Sequence, residues 1–268
     1  MRLTALRANN PVAVMAAYGV LRLLPEARLR WRDVHPELEC EGDPVARLAA
    51  LLPARLAAPE HTRLDDPRDN NIGGVEGFRR LSEEIPSEWL AAYAAERADG
   101  VRDTGLLLLG GRHRFVANAR DVMGALAQRD DVGAALQEAL FGPWRYADKV
   151  IAWGWDAAAR IDPAASPRDV SSTPKFGVAG AYWLAWESLP LWPMVNGRTV
   201  GMSRRDWRYP VCAEWVGCET LRALILGGER LARREREALG ITHWSAALLS
   251  GGKFGKVLGW ARPAAART

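Results

Sequence analysis

The fourteen residues from Pro11 to Leu24 are apolar apart from Tyr18, Gly19 and Arg22, and no other feature of the chain restricts its fold so strongly. A helix with hardly any polar face has no stable solvated position, so this segment must sit inside the fold. Asn10 in the capping position and Pro11 in the first helical position start it, and Pro25 stops it. Its length, about 21 Å at 1.5 Å per residue, falls short of the ~30 Å hydrocarbon core of a bilayer. Asn9-Asn10-Pro11 also breaks the apolar stretch that a secretory signal would need. The reading is a buried, central helix, neither membrane span nor signal peptide.

Both hydrophobic periods occur around that helix, which predicts an α+β fold of mixed sheets with packed helices. Strands are expected at 3–7 and 28–34, and a helix interrupted at Pro53 over 43–58. A surface loop rich in Asp, Asn, Pro and Gly is expected over 59–77, then a helix over 87–98. Residues 105–109 and 113–117, joined by Gly110-Gly111, read as a hairpin leading into a helix capped by Asn118. Further helices are expected at 131–141, 178–189, 219–226 and 229–239, and strands at 199–202, 207–211, 241–249 and 256–261. Glu187 falls among the apolar positions of one helix and needs a partner if buried. The chain divides most naturally into an N-terminal α+β region, 1–142, and a Trp-rich basic region, 143–268, which can also form one continuous domain.

Charge and aromatic content are both skewed toward the second region. Ten of the twelve tryptophans lie between residues 144 and 268. Residues 198–268 carry 13 Lys/Arg against 6 Asp/Glu, while residues 1–197 carry 23 against 26. Basic side chains neutralise phosphates and flat rings stack on bases, so the combination points toward nucleic acid. The competing reading is ordinary: tryptophans pack cores, and arginines cover helix surfaces.

Enzymatic signatures are weak. Ser250-Gly251-Gly252-Lys253-Phe254-Gly255-Lys256-Val257 lacks both the glycine spacing and the Ser or Thr after Lys that a P-loop requires. His61, Asp65, Asp66 and Asp69 share one loop without a second carboxylate cluster to complete a magnesium site. The four histidines form no HExxH pattern, and no GxSxG elbow occurs. Cys40, Cys212 and Cys218 are odd in number and without zinc spacing, which suits a reducing cytoplasm and predicts no disulfide. No catalytic residue, cofactor or metal is assigned.

The opening Leu6-Arg7-Ala8-Asn9-Asn10-Pro11-Val12-Ala13-Val14-Met15-Ala16-Ala17-Tyr18-Gly19-Val20-Leu21-Arg22 resembles the NPxxFLAALGxLR start of proteins encoded in type I-U (I-G) CRISPR loci. Trp155-Asp156-Ala157-Ala158-Ala159-Arg160 and the run from Val178 to Pro193 are similar to the WDPxxxR and VRGAxWLAxEALxLFP stretches of the same family. Trp207-Arg208-Tyr209-Pro210-Val211 and the closing basic strand extend the likeness over most of the chain. Two positions depart from the pattern: Ala157 replaces a Pro, and Ala179 replaces an Arg. The resemblance implies a large-subunit-like or helicase-extension component of an RNA-guided DNA-targeting complex, with effector subunits, guide RNA and target DNA as partners and no membrane. It implies no catalytic residues.

Proteins of such complexes supply backbone contacts while the guide reads sequence. The expected nucleic-acid contacts are Arg204, Arg205 and Arg208 interleaved with Trp207, then Lys253 and Lys256 in the glycine-rich loop, then Arg112 and Arg114 beside Gly110-Gly111. Two other readings compete with this one. In one, the Trp and Arg side chains anchor a protein partner without touching nucleic acid. In the other, Asp65, Asp66 and Asp69 converge on magnesium in a nuclease.

Overall fold

The computed structural model describes residues 1–63, 74–108, 114–149, 153–159, 176–250 and 255–264. The fold is α+β. Instead of the strand expected at 3–7, the chain opens in turns, and only Arg2 bridges Glu37. Leu3 and Leu6 explain the difference: both are fully buried three residues apart, whereas an extended strand would send them to opposite faces. Helix α1 (Pro11–Leu23) follows, then the antiparallel pair β1 (Arg28–Arg32) and β2 (His35–Glu39). Helix α2 (Pro44–Leu56) is capped by Asp43, whose carboxylate accepts from the Val45 and Ala46 amides. It runs through Pro53 without stopping, because burial of Leu48 and Leu52 on one face outweighs the hydrogen bond that Pro cannot donate.

The segment 59–77 is not a loop throughout. Its start forms α3 (Pro59–Thr62), with Glu60 and His61 turned inward; residues 64–73 lie outside the described residues, and α4 (Gly74–Glu84) begins at the far end. Helix α5 (Ser87–Tyr93) ends sooner than expected, at Ala94, whose backbone is extended. The chain then forms the hairpin β3 (Ala94–Arg97) and β4 (Gly100–Asp103), in which Arg97 pairs with Gly100. The hairpin expected farther on is not found: residues 105–108 form no strand, 109–113 lie outside the described residues, and Phe115 and Val116 open α6 (Phe115–Ala127). Asn118 is consequently buried inside that helix and does not cap it.

Helix α7 (Val132–Phe141) is capped by Asp131. The short strands β5 (Asp148–Lys149) and β6 (Phe176–Gly177) lead to α8 (Ala179–Glu187), and β7 (Met194–Val195) pairs with β8 (Arg198–Thr199). The C-terminal part contains β9 (Asp206–Cys212), α9 (Cys218–Gly227), α10 (Arg233–Ala238), β10 (Ile241–Ser250), β11 (Lys256–Leu258) and β12 (Arg262–Pro263). Strand β10 pairs with β9 along one edge and with β11 and then β12 along the other, all antiparallel.

Helix α1 lies at the centre, and every residue from Pro11 to Leu21 is buried. It crosses α8 at Gly19, where a Cβ would stand 1.7 Å from the Leu184 carbonyl oxygen. Only glycine permits that approach. Asn10 occupies the capping position, yet its side chain donates to Asp156 Oδ1 at 2.8 Å and not to the helix, while the Val12 amide donates to the Trp155 carbonyl at 3.2 Å. The Tyr18 hydroxyl donates to the Pro210 carbonyl and ties the helix to β9. Helix α1, the Trp155–Asp156 segment, α8 and β9 thus pack on one another and build the centre of the fold.

Eight tryptophans are buried: Trp31, Trp89, Trp153, Trp155, Trp183, Trp186, Trp192 and Trp207. Trp153 and Trp155 stack at 4.9 Å, and Trp186 reaches Phe115 at 4.7 Å and Trp153 at 5.3 Å. One apolar cluster draws its side chains from both sides of residue 142. Glu187 is wholly inaccessible within it and finds its partners there. Arg55 Nε donates to both carboxylate oxygens at 3.0 and 3.1 Å, Arg22 Nη1 donates at 3.2 Å, and Trp183 Nε1 at 3.1 Å. Burial pushes the Glu187 carboxyl up, but bonds and charges from His61 and Arg55 prevail and hold it below its ordinary value. Cys40, Cys212 and Cys218 are free thiols, and among the described residues no helix is long and apolar enough to cross a membrane.

Candidate nucleic-acid interface

The two faces of the C-terminal sheet follow from the two-residue period of β9. Trp207, Tyr209 and Val211 point inward and are buried, while Asp206 and Arg208 point outward. Register extends the outer face: Ser245 of β10 lies opposite Arg208 on one side and Arg262 of β12 on the other, and Ala247 lies opposite Asp206. Arg208, Ser245 and Arg262 therefore form one row across three strands.

The turn before β9 is held by Ser203. Its hydroxyl donates to Asp206 Oδ1 and accepts the amides of Arg205 and Asp206, each at 3.0 Å. The Arg205 carbonyl accepts the Leu248 amide at 2.7 Å, which anchors the turn to β10. Gly201 lets the chain enter this turn with φ +76°; a Cβ there would lie 2.3 Å from the Arg208 carbonyl oxygen. On the opposite edge, β11 and β12 are separated by residues 259–261. The Gly259 amide still donates to Ala247 on β10, but the Ala261 amide donates to Asn9, so the chain leaves the ladder at Trp260. Trp260 is 54% exposed.

An open pocket of about 410 Å³ results, with Trp260, Arg205 and Arg262 on its walls and Ser203, Asp206 and Ser245 among its remaining lining residues. Asp206 organises the polar side. Ser245 Oγ donates to its Oδ2 at 2.7 Å and Arg208 Nε at 2.9 Å, beside the Ser203 bond to Oδ1. Burial pushes this carboxyl up, but those hydrogen bonds and the Arg208 charge outweigh it and hold it at about 2. Asp206 is therefore ionised at neutral pH and cancels the charge of Arg208, whose side chain is only 19% exposed. Arg204, Arg205, Arg262 and Lys256 carry no ion pair among the described residues. Net positive charge thus lies with Arg205 and Arg262 on the rim, above a floor that the Asp206–Arg208 pair leaves neutral.

Several expected site residues occupy other positions. Trp207 is fully buried, with its ring 4.7 Å from Trp192 and 4.9 Å from Tyr209, so it offers no face to a base; strand alternation turns it opposite to Arg208. Arg204 and Arg205 are exposed. Lys256 is exposed on β11, beyond the pocket, and Arg114 is exposed at the start of α6 and does not line it. Lys253 and Arg112 lie outside the described residues, as do Asp65, Asp66 and Asp69. His61, read as part of an acidic surface loop, is buried between Trp89 and Trp186. Among the described residues no group of three His, Cys, Asp or Glu could hold a metal ion.

Sequence reasoning missed Trp260, Arg262 and the Ser203–Asp206–Ser245 cluster. The closing strand is expected to end at 261, which hides the pairing of Arg262 with Ser245. The Trp260-x-Arg262 spacing beside a strand end was the available signal. No protein-family model matches the chain, and no curated protein matches it either.

Proposed function

We propose that this chain is a non-enzymatic nucleic-acid-binding subunit or accessory of an RNA-guided, Cascade-like type I CRISPR effector complex, contacting the backbone of guide RNA or target DNA. One observation carries the nucleic-acid part of this reading: Arg205 and Arg262, both without ion pairs among the described residues, edge an open pocket on the outer face of one sheet, and Arg204 and Lys256 are exposed outside it. Cations left unneutralised by the protein are those that release counterions from phosphates. The CRISPR assignment rests on the sequence resemblance, and the other effector subunits are its implied partners.

The test is salt dependence. Changing Arg204, Arg205 and Arg262 together to Ala removes three contacts and should flatten the slope of log K against log salt by about 2 for a single strand. Folding should be preserved, since surface changes usually stay within about 0.5 kcal/mol each. An unchanged slope defeats the site. Specific cleavage by the purified chain in magnesium or manganese defeats the non-enzymatic reading.

A further inference from the structure

The pocket on the outer sheet face has more shape than phosphate neutralisation requires. We propose that it takes one unpaired nucleotide, with the base stacked on Trp260, the base edge toward Asp206 and the phosphate between Arg205 and Arg262. The chain then holds single strands in preference to duplexes. This deepens the nucleic-acid reading above and rests on it.

Three observations support the assignment. Trp260 is the only tryptophan among the described residues that is more than half exposed, and its ring packs against no other described aromatic ring or cation. It stands on the wall of a concavity, where a base could slide against it. The volume, about 410 Å³, lies in the usual range of roughly 300 to 1,000 Å³ for small-ligand pockets, so a nucleotide-sized group fits while a duplex cannot enter. In a duplex, moreover, neighbouring bases cover both faces of every interior base, and a stacking wall has nothing to receive.

Charge sets the orientation. The Asp206–Arg208 pair leaves the floor without net charge, while Arg205 and Arg262, without ion pairs among the described residues, attract phosphate, so the backbone stays at the rim and the base points in. A carboxylate has about four acceptor sites, of which Ser203, Ser245 and Arg208 occupy three. One acceptor site remains to receive an N–H from the base. The exocyclic amines of cytosine and adenine supply it without an opposing carbonyl on both sides. Thymine and uracil present their single N–H between two carbonyl oxygens, which the carboxylate repels. The pocket therefore favours amino-bearing bases.

The experiment measures binding of the full chain to labelled oligo-dC and oligo-dT about twelve nucleotides long, and to a duplex of equal length, by fluorescence anisotropy over a salt series. The wild type should prefer oligo-dC to oligo-dT and either strand to the duplex. Trp260→Ala should weaken oligo-dC binding roughly 5- to 150-fold with an unchanged salt slope, and Trp260→Phe should keep most of the affinity. Asp206→Asn should erase the dC-over-dT preference; thermal melting identifies any variant that is misfolded, and Trp260→Phe keeps the stacking test open. Equal affinity for duplex and single strand overturns the proposal, as does unchanged oligo-dC affinity in Trp260→Ala. The latter result would make Trp260 a protein anchor and leave the phosphate-binding rim standing. A wild type without salt-dependent affinity for any of the three probes overturns both the pocket and the nucleic-acid reading.

Discussion

Replacing Glu187 by Gln tests the charge network that joins the helices. The side chain is completely inaccessible, and three donors approach within 3.2 Å: Arg55 Nε, Arg22 Nη1 and Trp183 Nε1. Gln has the same shape but no charge, and one of its two termini turns a donor toward these donors. Breaking a buried ion pair from one side costs ~3 to 5 kcal/mol. Arg55 retains Glu60 at 2.6 Å and Arg22 retains Glu88 at 2.5 Å, so the lower figure, ~3 kcal/mol, is expected. Urea unfolding at about pH 7 measures it as a lower midpoint at unchanged slope.

The pH dependence supplies an independent sign. Because the folded carboxyl lies below its ordinary value of 4.5, its contribution is fully present above that value and is lost as pH falls through the folded one. The difference between wild type and Glu187→Gln should thus be constant from about pH 7 to 5.5 and close only below 4.5. A difference under about 1 kcal/mol at neutral pH refutes the network's role, given the expected cost. A difference that shrinks between about pH 7 and 6 refutes the ionised state, since it would mean that the buried carboxyl titrates high.

Two further substitutions examine the core. Gly19→Ala places a methyl 1.7 Å from the Leu184 carbonyl oxygen and should cost at least the ~1 to 3 kcal/mol of ordinary overpacking; a melting temperature equal to that of the wild type would disprove the α1–α8 crossing. Trp207→Ala should cost ~3 to 5 kcal/mol, whereas Trp260→Ala should stay within about 0.5 kcal/mol. Equal stability loss at both positions would contradict the assignment of inner and outer sheet faces.

Sequence alone determined the elements whose burial is uniform or strictly periodic. Pro11–Leu23 had no polar face to expose, so its central position followed from composition before any neighbour was known. The inward Trp-rich helix containing Glu187 was likewise readable, and so was the need for a counter-charge beside that residue. Which cations supplied it was not, because Arg22 and Arg55 lie 165 and 132 residues away in the chain. Tertiary structure also decided the site. Trp207 and Arg208 are neighbours in sequence but face opposite sides of one strand, and Arg262 joins Ser245 and Arg208 only through strand pairing. Trp260 is exposed because the next amide bonds to Asn9, at the other end of the chain. Local pattern sets which residues must be buried, since each residue carries its own hydrophobicity; which charged and aromatic side chains meet on a surface depends on pairing between distant segments, which no local pattern encodes.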